Sequence, residues 1–142
     1  MKPKVLFVDN ERWYVARHID RLEEEYEVVF LHNVSEAVEA LQSCDIYSCL
    51  VVDVMMPVSS ECAARTNDGL DTGIWLIKQV EDKLAESSVP VILLTNRLHS
   101  DVLKCLEPFG LPEGQVIVKA KDETNPKRLL ELVREQINRW IR

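Results

Sequence analysis

The stretch Cys49-Leu50-Val51-Val52-Asp53-Val54-Met55-Met56-Pro57 decides the fold of this chain. Its continuous apolar run predicts a strand that is buried on both faces, as the strands of parallel sheets are. Asp53 ends that run, and a buried carboxylate is costly unless other groups compensate its charge. The stretch therefore predicts a buried strand that delivers one carboxylate to a site.

Three further apolar runs also end at a polar residue. Lys4-Val5-Leu6-Phe7-Val8 leads into Asp9-Asn10-Glu11, Val89 to Leu94 leads to Thr95, and Val116-Ile117-Val118 leads to Lys119. Parallel strands present their carboxyl ends at one edge of the sheet, and ligands bind in the crevice there. We therefore expect the polar groups at the four strand ends to converge on one site.

Helical segments separate these strands along the chain. The predicted strands are Lys4–Asp9, Tyr26–Leu31, Ile46–Asp53, Val89–Leu94 and Gln115–Lys119. The predicted helices run from about Glu11 to Glu25, from Asn33 or Ser35, from near Asp71, from His99 to Glu107, and from Asn125-Pro126. This alternation predicts an α/β fold with right-handed crossovers and helices on both faces of a parallel sheet.

Length and composition limit the other possibilities. At 142 residues, the chain is expected to form a single domain spanning 1–142, with a long loop insertion at about 58–68. The net charge of −7 argues against direct nucleic-acid binding, which needs a basic face. No apolar run approaches the roughly 18 residues that span a bilayer, so we expect no membrane insertion and a cytoplasmic location. The four cysteines lack metal-ligand spacing and are predicted to be reduced packing residues. The three tryptophans are also predicted to be packing residues.

The ordered set of strand ends resembles the receiver domain of response regulators in two-component signalling, the CheY-like superfamily, over essentially the whole chain. The resemblance rests on Val8-Asp9-Asn10-Glu11, on Val51-Val52-Asp53-Val54-Met55-Met56-Pro57, on Leu93-Leu94-Thr95-Asn96 and on Val116-Ile117-Val118-Lys119. None of these motifs is specific alone, and their order along the chain carries the resemblance. It implies a flavodoxin-like three-layer sandwich with five helices and a five-stranded parallel sheet of order 2-1-3-4-5.

The resemblance also implies a chemistry for each residue type. Asp53 would accept a phosphoryl group from a histidine kinase or phosphotransfer protein, and the Thr95 hydroxyl and the Lys119 amine would bind phosphoryl oxygens. Mg²⁺, which prefers oxygen ligands, would be held by Asp9, Asn10, Asp53 and the backbone carbonyl of Met55. Such a protein is a phosphoacceptor regulator rather than an enzyme in the ordinary sense. It would act on a downstream protein partner, and both a monomer and a homodimer are compatible with the sequence.

Several positions depart from the family pattern. Asn10 stands where a second acid commonly binds the metal, so the Mg²⁺ site is expected to be weakened, with Glu11 as a possible compensation. Val116 occupies the position, three before Lys119, of an aromatic residue that commonly reports phosphorylation, and Ala120 replaces a common proline. These departures support an alternative hypothesis, a non-phosphorylated pseudo-receiver that serves as a protein-interaction module.

Two other classes of protein share parts of this pattern. A hydrolase of the haloacid-dehalogenase type needs a second aspartate two residues after its nucleophile, where this chain has Met55. A flavin-binding electron carrier needs a hydroxyl- and glycine-rich phosphate loop after its first strand, where this chain has Glu11-Arg12-Trp13. Both classes are disfavoured by these residues.

Overall fold

Five parallel strands form one sheet in the described part of the chain, which comprises residues 2–56, 69 and 71–140 of the computed structural model. The strands are β1 (Lys4–Val8), β2 (Glu27–Leu31), β3 (Cys49–Asp53), β4 (Val91–Thr95) and β5 (Val116–Ala120). Their order across the sheet is β2-β1-β3-β4-β5. The predicted strand order is therefore confirmed, and β3 is the central strand.

Five α-helices in the described ranges connect and cover these strands. They are α1 (Arg12–Glu23), α2 (Val34–Gln42), α3 (Thr72–Ser87), α4 (His99–Leu106) and α5 (Pro126–Trp140), and a short 3₁₀ turn, Lys121–Glu123, precedes α5. The helix α1 packs beside α5, and α2 packs beside α3. The three-layer α/β sandwich predicted from the alternation is confirmed.

Two apolar clusters, one on each face of the sheet, hold the layers together. Successive side chains of a strand point to opposite faces, so Leu50 and Val52 join the cluster under α2 and α3. Cys49 and Val51 join the cluster under α1 and α5. All five residues of β3 are buried, as its continuous apolar sequence predicted.

Most predicted boundaries agree with the structure to within one to three residues. The prediction that β3 starts at Ile46 was wrong, because Ile46 is 81% exposed and pairing begins at Cys49. Trp13 was predicted to pack in the interior, yet it is 77% exposed on the first turn of α1. The long loop expected at 58–68 lies outside the described residues. No helix of the described ranges is long and apolar enough to cross a membrane.

Candidate functional site

Three of the polar residues predicted to converge lie together at the carboxyl edge of the sheet. Asp9 follows β1 directly, Asp53 ends β3 and Thr95 ends β4. The register places Val8 beside Val52, so the next residues along the two strands, Asp9 and Asp53, are neighbours at the edge. All three polar residues are buried.

The lysine at this edge is Lys121, and the prediction of Lys119 was wrong. Lys121 Nζ lies 2.9 Å from Asp53 Oδ2 and 2.9 Å from Asp9 Oδ2. Lys119 is still within β5, where it is paired with Leu94, and the strand continues for one more residue to Ala120. The chain leaves the sheet only at Lys121, so the amine of this residue reaches the pocket.

With Lys121 as the site lysine, the position three residues before it and the position directly after it both shift by two residues along the chain. The residue three before the site lysine is Val118, which is buried, rather than Val116. The residue after the site lysine is Asp122 rather than Ala120. Neither an aromatic residue nor a proline stands at the corrected positions. The sequence did contain a signal for the correct residue, because Lys119-Ala120-Lys121 offers two lysines around a residue that extends the strand.

The two carboxylates and the ammonium form one buried charge cluster. Burial, together with the neighbouring charge of Asp9, raises the pKa of Asp53 to about 6, although the hydrogen bond from Lys121 acts in the opposite direction. Burial would lower the pKa of Lys121, but its hydrogen bonds with Asp53 and Asp9 outweigh that effect and leave it raised. With both carboxylates ionised, one ammonium offsets only half of their charge, so the pocket favours a further cation.

Backbone amides fix the direction of each carboxylate. The amide of Glu11 donates to Asp9 Oδ1 at 2.8 Å, and the amide of Met55 donates to Asp53 Oδ1 at 3.1 Å. Each bond joins an aspartate to the amide two residues ahead, which is the Asx-turn arrangement. One oxygen of each carboxylate is thereby turned toward its own loop, and the other oxygen faces Lys121.

Thr95 is at the site edge, and its hydroxyl is bound to its own loop. The amide of Arg97 donates to Thr95 Oγ1 at 2.9 Å. The side chain of Arg97 forms an ion pair with Asp71, the residue before α3. These contacts link the loop after β4 to the start of α3 on one side of the pocket.

A glycine allows α3 to approach the end of β3 closely. A Cβ on Gly73 would lie 2.7 Å from the backbone oxygen of Asp53 and 2.8 Å from Val54 Cα, distances that real Cβ atoms do not show. The amide of Gly73 also donates to the carbonyl of Val54 at 2.9 Å. The absence of a side chain at Gly73 is therefore part of what positions Asp53.

Asn10 and Met55, the remaining predicted metal ligands, border the two buried carboxylates. The side chain of Asn10 is exposed, and Met55 is 36% exposed. Asp9 and Asp53 together with an amide and a backbone carbonyl are all oxygen donors, which suit a hard divalent cation such as Mg²⁺. No group of three or more His, Cys, Asp or Glu side chains with metal-binding geometry occurs in the described ranges. The donor set thus fits Mg²⁺ chemically, with only two charged ligands.

Sequence reasoning missed Tyr14, which lies on α1 beside the pocket. Its ring centroid is 5.0 Å from Lys121 Nζ, and its hydroxyl donates to Asp122 Oδ1 at 2.5 Å. That hydrogen bond is the main reason that the pKa of Tyr14 is raised. Apolar periodicity cannot single out this residue, since Tyr14 is 38% exposed and lies off the buried face of α1.

Comparison with solved structures identifies the fold. A response regulator receiver protein from Sinorhizobium medicae WSM419 superimposes with a TM-score of 0.72 at 15% sequence identity, covering 96% of this chain and 95% of that chain. The Francisella response regulator 1452 receiver domain gives a TM-score of 0.69 at 21% identity, covering 97% and 98% of the two chains. The receiver domain of the hybrid histidine kinase CckA gives 0.66 at 23% identity, covering 94% and 98%.

These similarities show that the chain has the fold of response regulator receiver domains, which confirms the resemblance at the level of fold. No protein-family model matches the sequence, and no curated protein matches it.

Proposed function

We propose that this chain is a phosphoacceptor receiver of a two-component system, with Asp53 as the acceptor. The observation that carries the proposal is the bridge from Lys121 Nζ to one oxygen of Asp53 and one oxygen of Asp9, at 2.9 Å each, inside a buried pocket. A structural ion pair needs one partner, whereas here a single cation serves two carboxylates whose repulsion burial strengthens. The proposal treats residues 1–142 as a single receiver domain.

Each described residue has a role in the proposed reaction. One carboxylate oxygen of Asp53 attacks the phosphorus of a phosphohistidine or small acyl phosphate, the bond from phosphorus to the donor breaks, and the donor leaves with the electron pair. The ammonium of Lys121 binds an oxygen of the transferred group, whose charge is spread over three oxygens. The Thr95 hydroxyl, whose oxygen accepts from the amide of Arg97, donates its proton to another phosphoryl oxygen.

Asp9, Asn10, Asp53 and the carbonyl of Met55 would hold Mg²⁺. When bound, this ion would offset the negative charge of the acceptor and of the transferred group. The neutral amide of Asn10 contributes less to cation binding than a carboxylate, so we expect weak Mg²⁺ affinity. The cation also shares Asp9 and Asp53 with Lys121, which lowers its affinity further.

Phosphorylation would then bias a surface that contacts a partner protein. The histidine kinase or phosphotransfer protein would be the phosphoryl donor, and the downstream partner would bind the face built from α4, β5 and α5. Leu98, directly before α4, and Leu103, within it, are 66% and 46% exposed, so this helix presents apolar side chains to solvent. Because Val118 cannot act as an aromatic reporter, the signal must reach that face through other residues.

The pseudo-receiver remains the second candidate, and one observation favours it. In this pocket the second acid of the family pattern is the exposed amide Asn10, so the site has one fewer charged metal ligand. Under this alternative, the bridge from Lys121 to Asp9 and Asp53 is a permanent structural ion pair. The protein would then bind its partner without phosphorylation.

Incubation with acetyl phosphate and Mg²⁺, followed by intact mass measurement, tests the proposal. We expect one added phosphoryl group, which is absent with Asp53→Asn or after chelation of Mg²⁺. Lys119→Ala is the matched control for Lys121→Ala, since the two lysines are two residues apart and only Lys121 contacts Asp53. Lys121→Ala should label much more slowly, and Lys119→Ala should label like the wild type. Failure of the wild type to label at any Mg²⁺ concentration would favour the pseudo-receiver.

A further inference from the structure

The ammonium of Lys121 has a third neighbour besides its two carboxylates. An ammonium has three N–H donors. The carboxylates of Asp9 and Asp53 lie on two sides of Nζ, and an oxygen of each is 2.9 Å from it. The ring of Tyr14 lies on another side, with its centroid 5.0 Å from Nζ. This distance is within the range in which an aromatic face attracts a cation.

Tyr14 also forms a hydrogen bond with the turn that carries Lys121. Its hydroxyl donates to Asp122 Oδ1 at 2.5 Å, and Asp122 directly follows Lys121. The amide of Asp122 in turn donates to Asn96 Oδ1 at 3.2 Å, beside Thr95. Tyr14 therefore contacts the side chain of Lys121 and holds the backbone turn from which that side chain extends.

We propose that Tyr14 is a positioning residue for the reaction of Asp53, keeping the Lys121 ammonium in the pocket while its bonds pass from the carboxylates to a phosphoryl oxygen. This inference rests on the proposed function. A carboxylate partner would have to be released for each new bond, whereas a ring face attracts the cation without a directed hydrogen bond. Tyr14 thus matters most during the transfer itself, when the ammonium is leaving its carboxylate partners and depends on the ring to stay in the pocket.

Proton NMR tests the contact independently of phosphorylation. Protons above an aromatic ring are shielded, so the ε-methylene protons of Lys121 should resonate upfield of those of Lys119 in the wild type. Tyr14→Phe keeps the ring and should keep this upfield shift. Tyr14→Leu removes the ring and should abolish it. A wild-type spectrum in which Lys121 and Lys119 do not differ would overturn the positioning role.

The rate of labelling by acetyl phosphate tests the consequence. A cation–π contact at a partly exposed ring corresponds to about a fivefold effect, so Tyr14→Leu should label about fivefold more slowly. Tyr14→Phe should recover most of that rate. In a Lys121→Ala background, Tyr14→Leu should cause no further loss, since the ring then has no ammonium to hold.

The two proposals fail in different ways. If the wild type is never labelled, the proposed function is overturned. If the wild type is labelled but Tyr14→Leu labels as fast, or slows labelling equally without Lys121, only the positioning role is overturned. Unfolding curves in urea for each variant identify any loss of rate that comes from an unfolded fraction.

Discussion

Replacing Asp53 with asparagine should stabilise the folded protein at neutral pH. The pKa of Asp53 is about 6 in the folded chain against an ordinary value of 3.8, chiefly because of burial. Each pKa unit corresponds to about 1.36 kcal/mol, so the ionised carboxylate costs about 3 kcal/mol of folding free energy. Asparagine keeps the shape of the side chain and carries no charge, which removes that cost.

The sign of the pH dependence follows from the direction of this shift. Below about pH 3, Asp53 is protonated in both the folded and unfolded states, and its ionisation costs nothing. Between about pH 3 and about pH 6, the unfolded state loses its proton first, so the wild type loses stability relative to the variant. Above about pH 6 the full cost of about 3 kcal/mol applies.

Urea unfolding of the wild type and Asp53→Asn across this pH range measures the effect. The variant should equal the wild type near about pH 3 and exceed it by about 3 kcal/mol near about pH 8. Asp20→Asn, which removes an exposed carboxylate from α1, is the control and should show no such pH-dependent gain. A lower stability of Asp53→Asn than of the wild type at about pH 8, or an advantage that does not change with pH, would show that ionised Asp53 does not destabilise the fold.

Three further predictions are tested by the urea midpoint. Lys121→Ala should destabilise the fold by about 3 kcal/mol or more, because it leaves two buried carboxylates without their cation. A loss of stability above about 1 kcal/mol for the control Lys119→Ala would contradict the assignment of Lys121 as the site lysine. Gly73→Ala should cost at least about 1–3 kcal/mol, because the new Cβ meets fixed backbone; an unchanged midpoint would show that the helix can move away. Gln115→Met should cost about 1–3 kcal/mol, because the amide of Gln115 donates to the carbonyls of Leu84 and Val89, and equal stability would mean that water replaces those bonds.

The arrangement of strands could be predicted because the sequence patterns are local and strong. The apolar run before Asp53 has no polar interruption, so burial on both faces follows from it. Asp9 and Asp53 stand at the ends of such runs, and the strand order implied by the resemblance, with β1 beside β3, makes them neighbours. The structure leaves the prediction that Asp9 and Asp53 share one site unchanged and adds only the distances between their atoms and Lys121.

The end of the apolar run Val116–Val118 does not identify the site lysine. Lys119 is the first charged residue after Val118, yet the pairing of Thr95 with Ala120 extends β5 past it. This pairing depends on the register with β4, which is a nonlocal property. A one-residue extension of a strand changes which side chains lie beyond the sheet edge, and here it moved the site amine from Lys119 to Lys121.

Tyr14 and Gly73 illustrate a second limit of sequence reasoning. Tyr14 reaches Lys121 across 107 positions of the chain, and nothing local to α1 indicates that contact. Gly73 reads as a poor helix former near the start of α3. The reason for a glycine at this position is apparent only from the structure, because a Cβ on Gly73 would lie 2.7 Å from the backbone oxygen of Asp53. Both residues depend on packing between distant segments.

Localising the phosphoryl group shows directly whether Asp53 is the acceptor. The protein is labelled with acetyl phosphate and Mg²⁺, the acyl phosphate is reduced with borohydride, and the peptides are mapped by mass spectrometry. An aspartyl phosphate is converted to homoserine by this treatment, so we predict homoserine at position 53 and at no other aspartate. Homoserine at another position, or an unmodified Asp53 in protein that carries a phosphoryl group, would contradict the account.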